Sequence, residues 1–254
     1  VISYRLSHVL LRFADLNQAV SAYRELGFEV RLSLHWQGAW IFLPDGVLLE
    51  FLPQGASALE RSAGVDELLH GRARHYTGRY GLLDYCLTPS APLEATRGWL
   101  EAQGLSLAPL HTPASPLVPL MLAPWHPLPL LYNPALPHPR LRPAPHPNAV
   151  CGLHSLTVQT ANLLGDLIRY RRLLGQEGRC EAGEWGRRAV FTLGPHLLYL
   201  QSSTQEGLAS LTLRTLHPVN GPLNRTQTQG VVLHLLGDPA LEAVPADPEK
   251  GETL

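Results

Sequence analysis

His8 and Glu50 are the two residues whose surroundings ask for a chemical explanation. His8 shares a strand face with Tyr4, Leu6 and Leu10, and Glu50 stands between Leu49 and Phe51 in the apolar run 47–52. A lone carboxylate in such a run is costly to bury unless it has a partner. Several solutions are open. His8 and Glu50 can hydrogen-bond each other as ordinary core polar groups, with Asp84 pairing an arginine or a backbone donor. A divalent cation can take them: one His, two carboxylates and water suit Zn, Mn, Fe(II) or Mg. Such an ion would polarise a substrate oxygen or stabilise an enolate or oxyanion. A site with no metal stands as an equal alternative, with Glu50 or Asp84 acting as general base.

The elements that must position these residues are legible in the first 55 positions. Residues 4–13 alternate as a strand. Asp15 is an N-cap with Gln18 three residues on, as a capping box requires. Leu16, Ala19, Val20, Tyr23 and Leu26 keep helical spacing, and Gly27 ends the helix. Strands are expected over 28–34, 38–43 and 47–52, with Asp45-Gly46 as a hairpin turn. The order is β-α-β-β-β.

The order recurs, which fixes the architecture. A second copy runs from the strand 82–88 through a helix opened by Pro92 and closed by Gly104, then a strand over 105–110. A third begins near Gly152, with a strand 154–160, a helix capped by Asn162 and ended by Gly175, and strands over 176–181, 185–193 and 196–201. A fourth is degenerate: 209–215 and 231–236 read as strands, but Gly, Pro and Asn in 217–230 leave no room for a helix. Matching the strand-to-helix joints puts His8, Asp84 and His154 at equivalent positions. The corresponding fourth-strand positions are Glu50, Tyr132, Tyr199 and His234.

The fold class is therefore α+β, built of repeated βαβββ modules. A first pair occupies 1–133 (modules 1–55 and 78–133) and a second pair 151–237 (modules 151–203 and 207–237). Between them lies a Pro-rich linker, 134–150. Residues 109–147 carry 13 of the 23 prolines. A short helix is expected within 57–74, and 238–254 reads as a tail.

Composition excludes several classes. Hydrophobic residues make up 45% of 254 and charged residues 16%, enough for a packed core. A net charge of -1, from 20 basic and 21 acidic residues, gives nucleic acid no basic surface. Three scattered cysteines, Cys86, Cys151 and Cys180, suit neither a disulfide framework nor a zinc knuckle, so a reducing cytoplasm is expected. The apolar stretch 115–132 holds five prolines, which argues against a membrane helix.

The run Leu6-Ser7-His8-Val9, then Asp15-Leu16, then Tyr23 through Gly27-Phe28-Glu29-Val30, resembles the opening module of vicinal oxygen chelate proteins. Val47-Leu48-Leu49-Glu50-Phe51 resembles the strand that supplies that family's glutamate. Gly81-Leu82, Glu101-Ala102-Gln103-Gly104, 128–132 and His146-Pro147-Asn148 resemble the glyoxalase-like branch. The resemblance covers residues 4–203 and the remainder loosely. It implies a bacterial-type protein whose paired modules form curved half-barrel sheets, each sheet a cup. It implies one divalent metal held by His8 and Glu50, with Asp84 as a third ligand. Asp84 and Tyr132 stand where many members have His and Glu, which is a departure. In the second cup His154 and His234 fall at ligand positions, without a carboxylate.

The function so implied is binding of a small oxygenated organic molecule, with metal-dependent lyase, isomerase or dioxygenase chemistry. The rival is a metal-free binding or sequestering protein using the same cup. A third reading is a structural role through a homodimer with the cup filled by side chains. Trp40, His35 and Tyr132 are candidate substrate-binding residues, Trp40 as an apolar wall. The run Arg72, Arg74, His75, Tyr76, Arg79 and Tyr80 is either a carboxylate or phosphate holder at the cup mouth or a solvated loop. Arg187 and Arg188 read as exposed strand residues.

Overall fold

The computed structural model describes residues 2–32, 38–53, 79–105, 117–118, 129–132, 145–183 and 186–237. His35, Trp36, Arg72, Arg74, His75, Tyr76, the expected helix within 57–74, nearly all of the strand expected over 105–110, most of the linker and the tail lie outside them.

The first sheet contains β1 (Tyr4–Phe13), β2 (Val30–Leu32), β3 (Ala39–Phe42), β4 (Leu48–Pro53), β5 (Gly81–Pro89), β6 (Leu117–Val118) and β7 (Leu130–Tyr132), with α1 (Leu16–Glu25) and α2 (Leu93–Ala102). Its strand order is β2-β3-β4-β1-β5-β7-β6. The second contains β8 (Val150–Thr160), α3 (Leu163–Leu174), β9 (Arg179–Gly183), β10 (Gly186–Leu193), β11 (His196–Ser202), β12 (Gly207–Thr215), β13 (Gly221–Pro222) and β14 (Leu233–Gly237). Its order is β13-β14-β12-β8-β11-β10-β9. In each sheet the module's first strand runs parallel to its last strand and antiparallel to the first strand of the next module. Among the described residues no helix lies between β12 and β14; turns occupy 225–230 instead.

The helix ends follow the sequence signals. Asp15 accepts a hydrogen bond from the Gln18 amide at 3.0 Å, and Asn162 accepts one from Gly165 at 3.0 Å. Gly175 closes α3 in the left-handed region, at φ 62°, which a side chain would strain. Pro92 is the residue before α2 and makes no side-chain cap there. It therefore stands one place earlier than the first-turn position expected.

Alternation divides each sheet into two faces. Val9, Leu11 and Phe13 of β1 share a face with Leu49 and Phe51 of β4 and pack under α1. Tyr23 of that helix lies 4.8 Å from the Phe51 ring and 5.8 Å from Phe13, centroid to centroid. The corresponding face of the second sheet carries Leu156, Val158, Leu198 and Leu200 beneath Tyr170 of α3. These helix-bearing faces contribute to one continuous core, in which the Tyr85 and Tyr170 hydroxyls hydrogen-bond each other. The opposite, distal faces carry the polar residues of interest.

The end of the linker is anchored. His146 is buried and its Nδ1 accepts from the Glu29 amide at 3.1 Å. Asn148 donates to the Leu26 carbonyl at 2.9 Å, and its amide donates to the Gly27 carbonyl. Gly27 has φ +82°, and a Cβ there would meet Asn148 at 2.9 Å. The glycine thus answers both to the helix end and to this approach.

Candidate functional site

One cross-strand row spans four strands of the first sheet's distal face. Trp40 pairs with Glu50, Glu50 with Leu10, and Leu10 with Asp84. His8 lies one step along β1, between Leu48 and Cys86. The sheet therefore brings His8, Glu50, Asp84 and Trp40 to one face. Arg12, which sequence reasoning passed over, ends the same side of β1 opposite Leu52 and Gly81.

A bulge sets His8 in place. The pairing passes from Leu6–Leu87 to His8–Cys86, leaving Ser7 as the extra residue. The Ser7 hydroxyl donates to the Cys86 carbonyl at 3.2 Å, so toward His8 Nδ1, 2.9 Å away, its oxygen must accept. Nδ1 then carries the proton, and in neutral imidazole Nε2 is the basic nitrogen. Burial pushes the Glu50 carboxyl up to about 7. Asp84 is fully buried and accepts from the Tyr85 amide at 2.8 Å.

The expected three-donor centre does not assemble from these groups. Among the described residues no three or more His, Cys, Asp or Glu side chains gather closely enough to hold a metal. Two strand spacings, about 10 Å of backbone, separate Glu50 from Asp84, with Leu10 between them. The short Asp84 side chain is engaged with its own neighbouring amide. His8 and Glu50, on adjacent strands, remain as two donors on one face.

The second sheet corrects the repeat alignment. Its bulge passes from Thr212–Ser155 to Leu213–Leu153, leaving His154 as the extra residue. His154 therefore matches Ser7, and Ser155 matches His8. His154 is set toward Arg214 and His196, with burial and these two groups all lowering its pKa. The distal face instead carries Ser155, Thr157 and Gln159, with Tyr199 opposite Thr157 and Ser210 beside it. Tyr199 thus matches Glu50, and Ser210 matches Asp84. His234 pairs with Thr212, as Leu130 pairs with Cys86. Leu130 rather than Tyr132 is the register mate of His234, and Tyr132 lies two residues farther along β7.

Two further features carried no local signal in the sequence. Asp45, in the turn between β3 and β4, accepts from the Leu153 amide at 2.6 Å and lies 3.1 Å from His196 Nε2 and 3.3 Å from the Arg214 guanidinium. Arg79 reaches the second half and donates to the Glu206 carbonyl at 3.0 Å. With Tyr80 it lines a cleft of about 620 Å³ shared with Gln159, Gln205 and Glu206. Those two members of the basic-aromatic run are thus placed against the second half. Arg188 is not simply exposed: it pairs with Glu181 at 2.5 Å and lies 4.3 Å over the Tyr199 ring.

No family model and no curated protein sequence matches this chain. Solved structures do. A hypothetical protein from Staphylococcus aureus superposes with a TM-score of 0.63 at 7% identity, covering 92% of this chain and 99% of that one. The Mn(II)-bound glyoxalase from Novosphingobium aromaticivorans gives 0.55 at 11% identity, over 91% of this chain and 81% of that one. An extradiol ring-cleaving dioxygenase from B.fuscum gives 0.53 at 11% identity, over 83% of this chain and 57% of the longer dioxygenase. At such identities the likeness is one of fold. No described helix is long and apolar enough to cross a membrane.

Proposed function

Because this chain has the vicinal oxygen chelate fold, we propose that the distal face of its first sheet binds a small oxygenated molecule and that Glu50 exchanges a proton with it. One observation carries this reading: a carboxyl raised to about 7 in a row with Trp40 and one step from His8. A group with that pKa is populated in both protonation states near neutrality, so it can take a proton and return it. His8, held by Ser7, lies one step along the strand from the Glu50 row and helps to position the substrate. Trp40 supplies an apolar wall. The matching chemistry is proton abstraction next to a carbonyl, of the isomerase or lyase kind.

The test is exchange of carbon-bound protons of 2-oxo acids in D2O, followed by NMR. Wild type is expected to accelerate exchange, and Glu50→Gln to slow it by about 10²-fold or more. Binding without exchange would favour the sequestering reading.

The Mn(II)-bound glyoxalase among the structural neighbours supports a second reading, in which His8 and Glu50 are two donors to a divalent ion. Such an ion would act as a Lewis acid on a substrate oxygen. The proton transfer above is written without it, because the described donors stop at two. Elemental analysis after metal reloading separates the readings: stoichiometric metal in wild type that is lost in Glu50→Ala supports the second.

A further inference from the structure

We propose that the distal face of the second sheet is a separate binding site for a small polyhydroxylated carboxylate, working without a metal. A cleft of about 600 Å³ opens there, lined by Thr157, Gln159, Gln201, Ser210, Arg225 and His234 among others. That volume suits a small-molecule ligand. Register accounts for the lining: Thr157 and Gln159 of β8, Gln201 of β11, Ser210 of β12 and His234 of β14 all fall on the face turned away from α3.

The chemistry of the lining selects the ligand. Among the described residues no carboxylate lines the cleft, and Arg225 is the one permanently charged group of its lining. The positions matching His8, Glu50 and Asp84 are Ser155, Tyr199 and Ser210, none of them acidic. Hydroxyls and amides both donate and accept, which matches the hydroxyls of a polyol. A guanidinium matches a carboxylate in planar, two-bonded geometry. Arg179 and Arg188, which the register places on this face, are both engaged by Glu181, and Arg225 is the arginine that lines the cleft. Leu223, Pro222, Val232 and Ala209 add apolar wall for a carbon skeleton.

The experiment is calorimetric titration of the whole chain, pretreated with chelator, with gluconate and with sorbitol, its uncharged counterpart. Gluconate is expected to bind and sorbitol to bind at least about tenfold more weakly. Arg225→Gln, an exposed substitution, should raise the gluconate Kd by about tenfold. Glu50→Gln should leave it unchanged, which separates this site from the one proposed on the first sheet. Perturbation of the His234 ring resonances by gluconate would place the ligand in the cleft. Absence of gluconate binding, equal binding of sorbitol, or full affinity in both Arg225→Gln and His234→Gln would overturn the proposal.

Discussion

The Asp45 carboxylate lies 3.1 Å from Nε2 of His196, which ties the turn between β3 and β4 to the first residue of β11. It also accepts from the Leu153 amide and faces Arg214, so one side chain gathers three donors from the other half. Replacing it with alanine leaves a buried amide and imidazole without their acceptor. Asp45→Ala is expected to lower unfolding free energy by about 2–3 kcal/mol, read from urea denaturation at neutral pH.

The same group gives an acid-limb prediction. Burial alone would raise the Asp45 pKa, but the hydrogen bond and charge of His196 and the amides of Leu153 and Val47 outweigh it and hold it low. A depressed folded pKa means the folded state binds fewer protons than the unfolded state as acid is added. The contribution is therefore full above the ordinary carboxylate pKa of about 4 and is lost as pH falls through the lower folded value. Urea titrations between roughly pH 3 and 6 should show a shallower acid loss in Asp45→Asn than in wild type.

Gly152 is coupled to this contact. A Cβ there would collide with the Asp45 carboxylate and come within 2.9 Å of the Arg214 guanidinium. Gly152→Ala should destabilise by about 1–3 kcal/mol through overpacking. In an Asp45→Ala background the cost should shrink, so a double-mutant cycle will show non-additivity. Strict additivity would mean that the two positions do not share the contact.

Glu50 makes the opposite pH prediction. Its folded pKa of about 7 exceeds the ordinary value of 4.5, so between these the folded state keeps a proton that the unfolded state has released. Stability therefore falls as pH rises across that window and is lowest above it. In chelator-treated protein, Glu50→Gln should match wild type below roughly pH 4 and gain about 2 kcal/mol above pH 7, with partial solvent access holding the gain below the full shift. A flat difference across pH would count against the burial of this carboxyl.

At Gly27 the left-handed backbone and the approach of Asn148 act together. Gly27→Ala is expected to cost more than the roughly 1 kcal/mol of a left-handed site alone. Asn148→Ala should cost about 1 kcal/mol through the lost bond to Leu26. Thermal melts of both variants check the order.

Local rules reached a good part of this structure. Asp15, Asn162, Gly27 and Gly175 mark helix ends because caps are satisfied within a few residues. Of the face expected for His8, Leu10 stays with it, while the bulge at Ser7 turns Tyr4 and Leu6 to the opposite face. The bulges were invisible, since an extra residue at Ser7 or His154 leaves no compositional trace while shifting every later side chain. Asp45 read as a turn residue, which it is. Its bonds to Leu153 and His196 join positions more than a hundred residues apart, where no periodicity reports. Separation along the chain also hid the second cleft, whose lining comes from five strands and the segments between them.

The bulge at His154 has a consequence for redesign. Both modules carry the bulge at the same place, and the order His-Ser in the second, where the first has Ser-His, is enough to set the histidine toward Arg214 and His196 and not on the distal face. Anyone wishing to build a metal ligand into the second sheet should begin with Ser155→His, and should leave His154 to the seam it now serves.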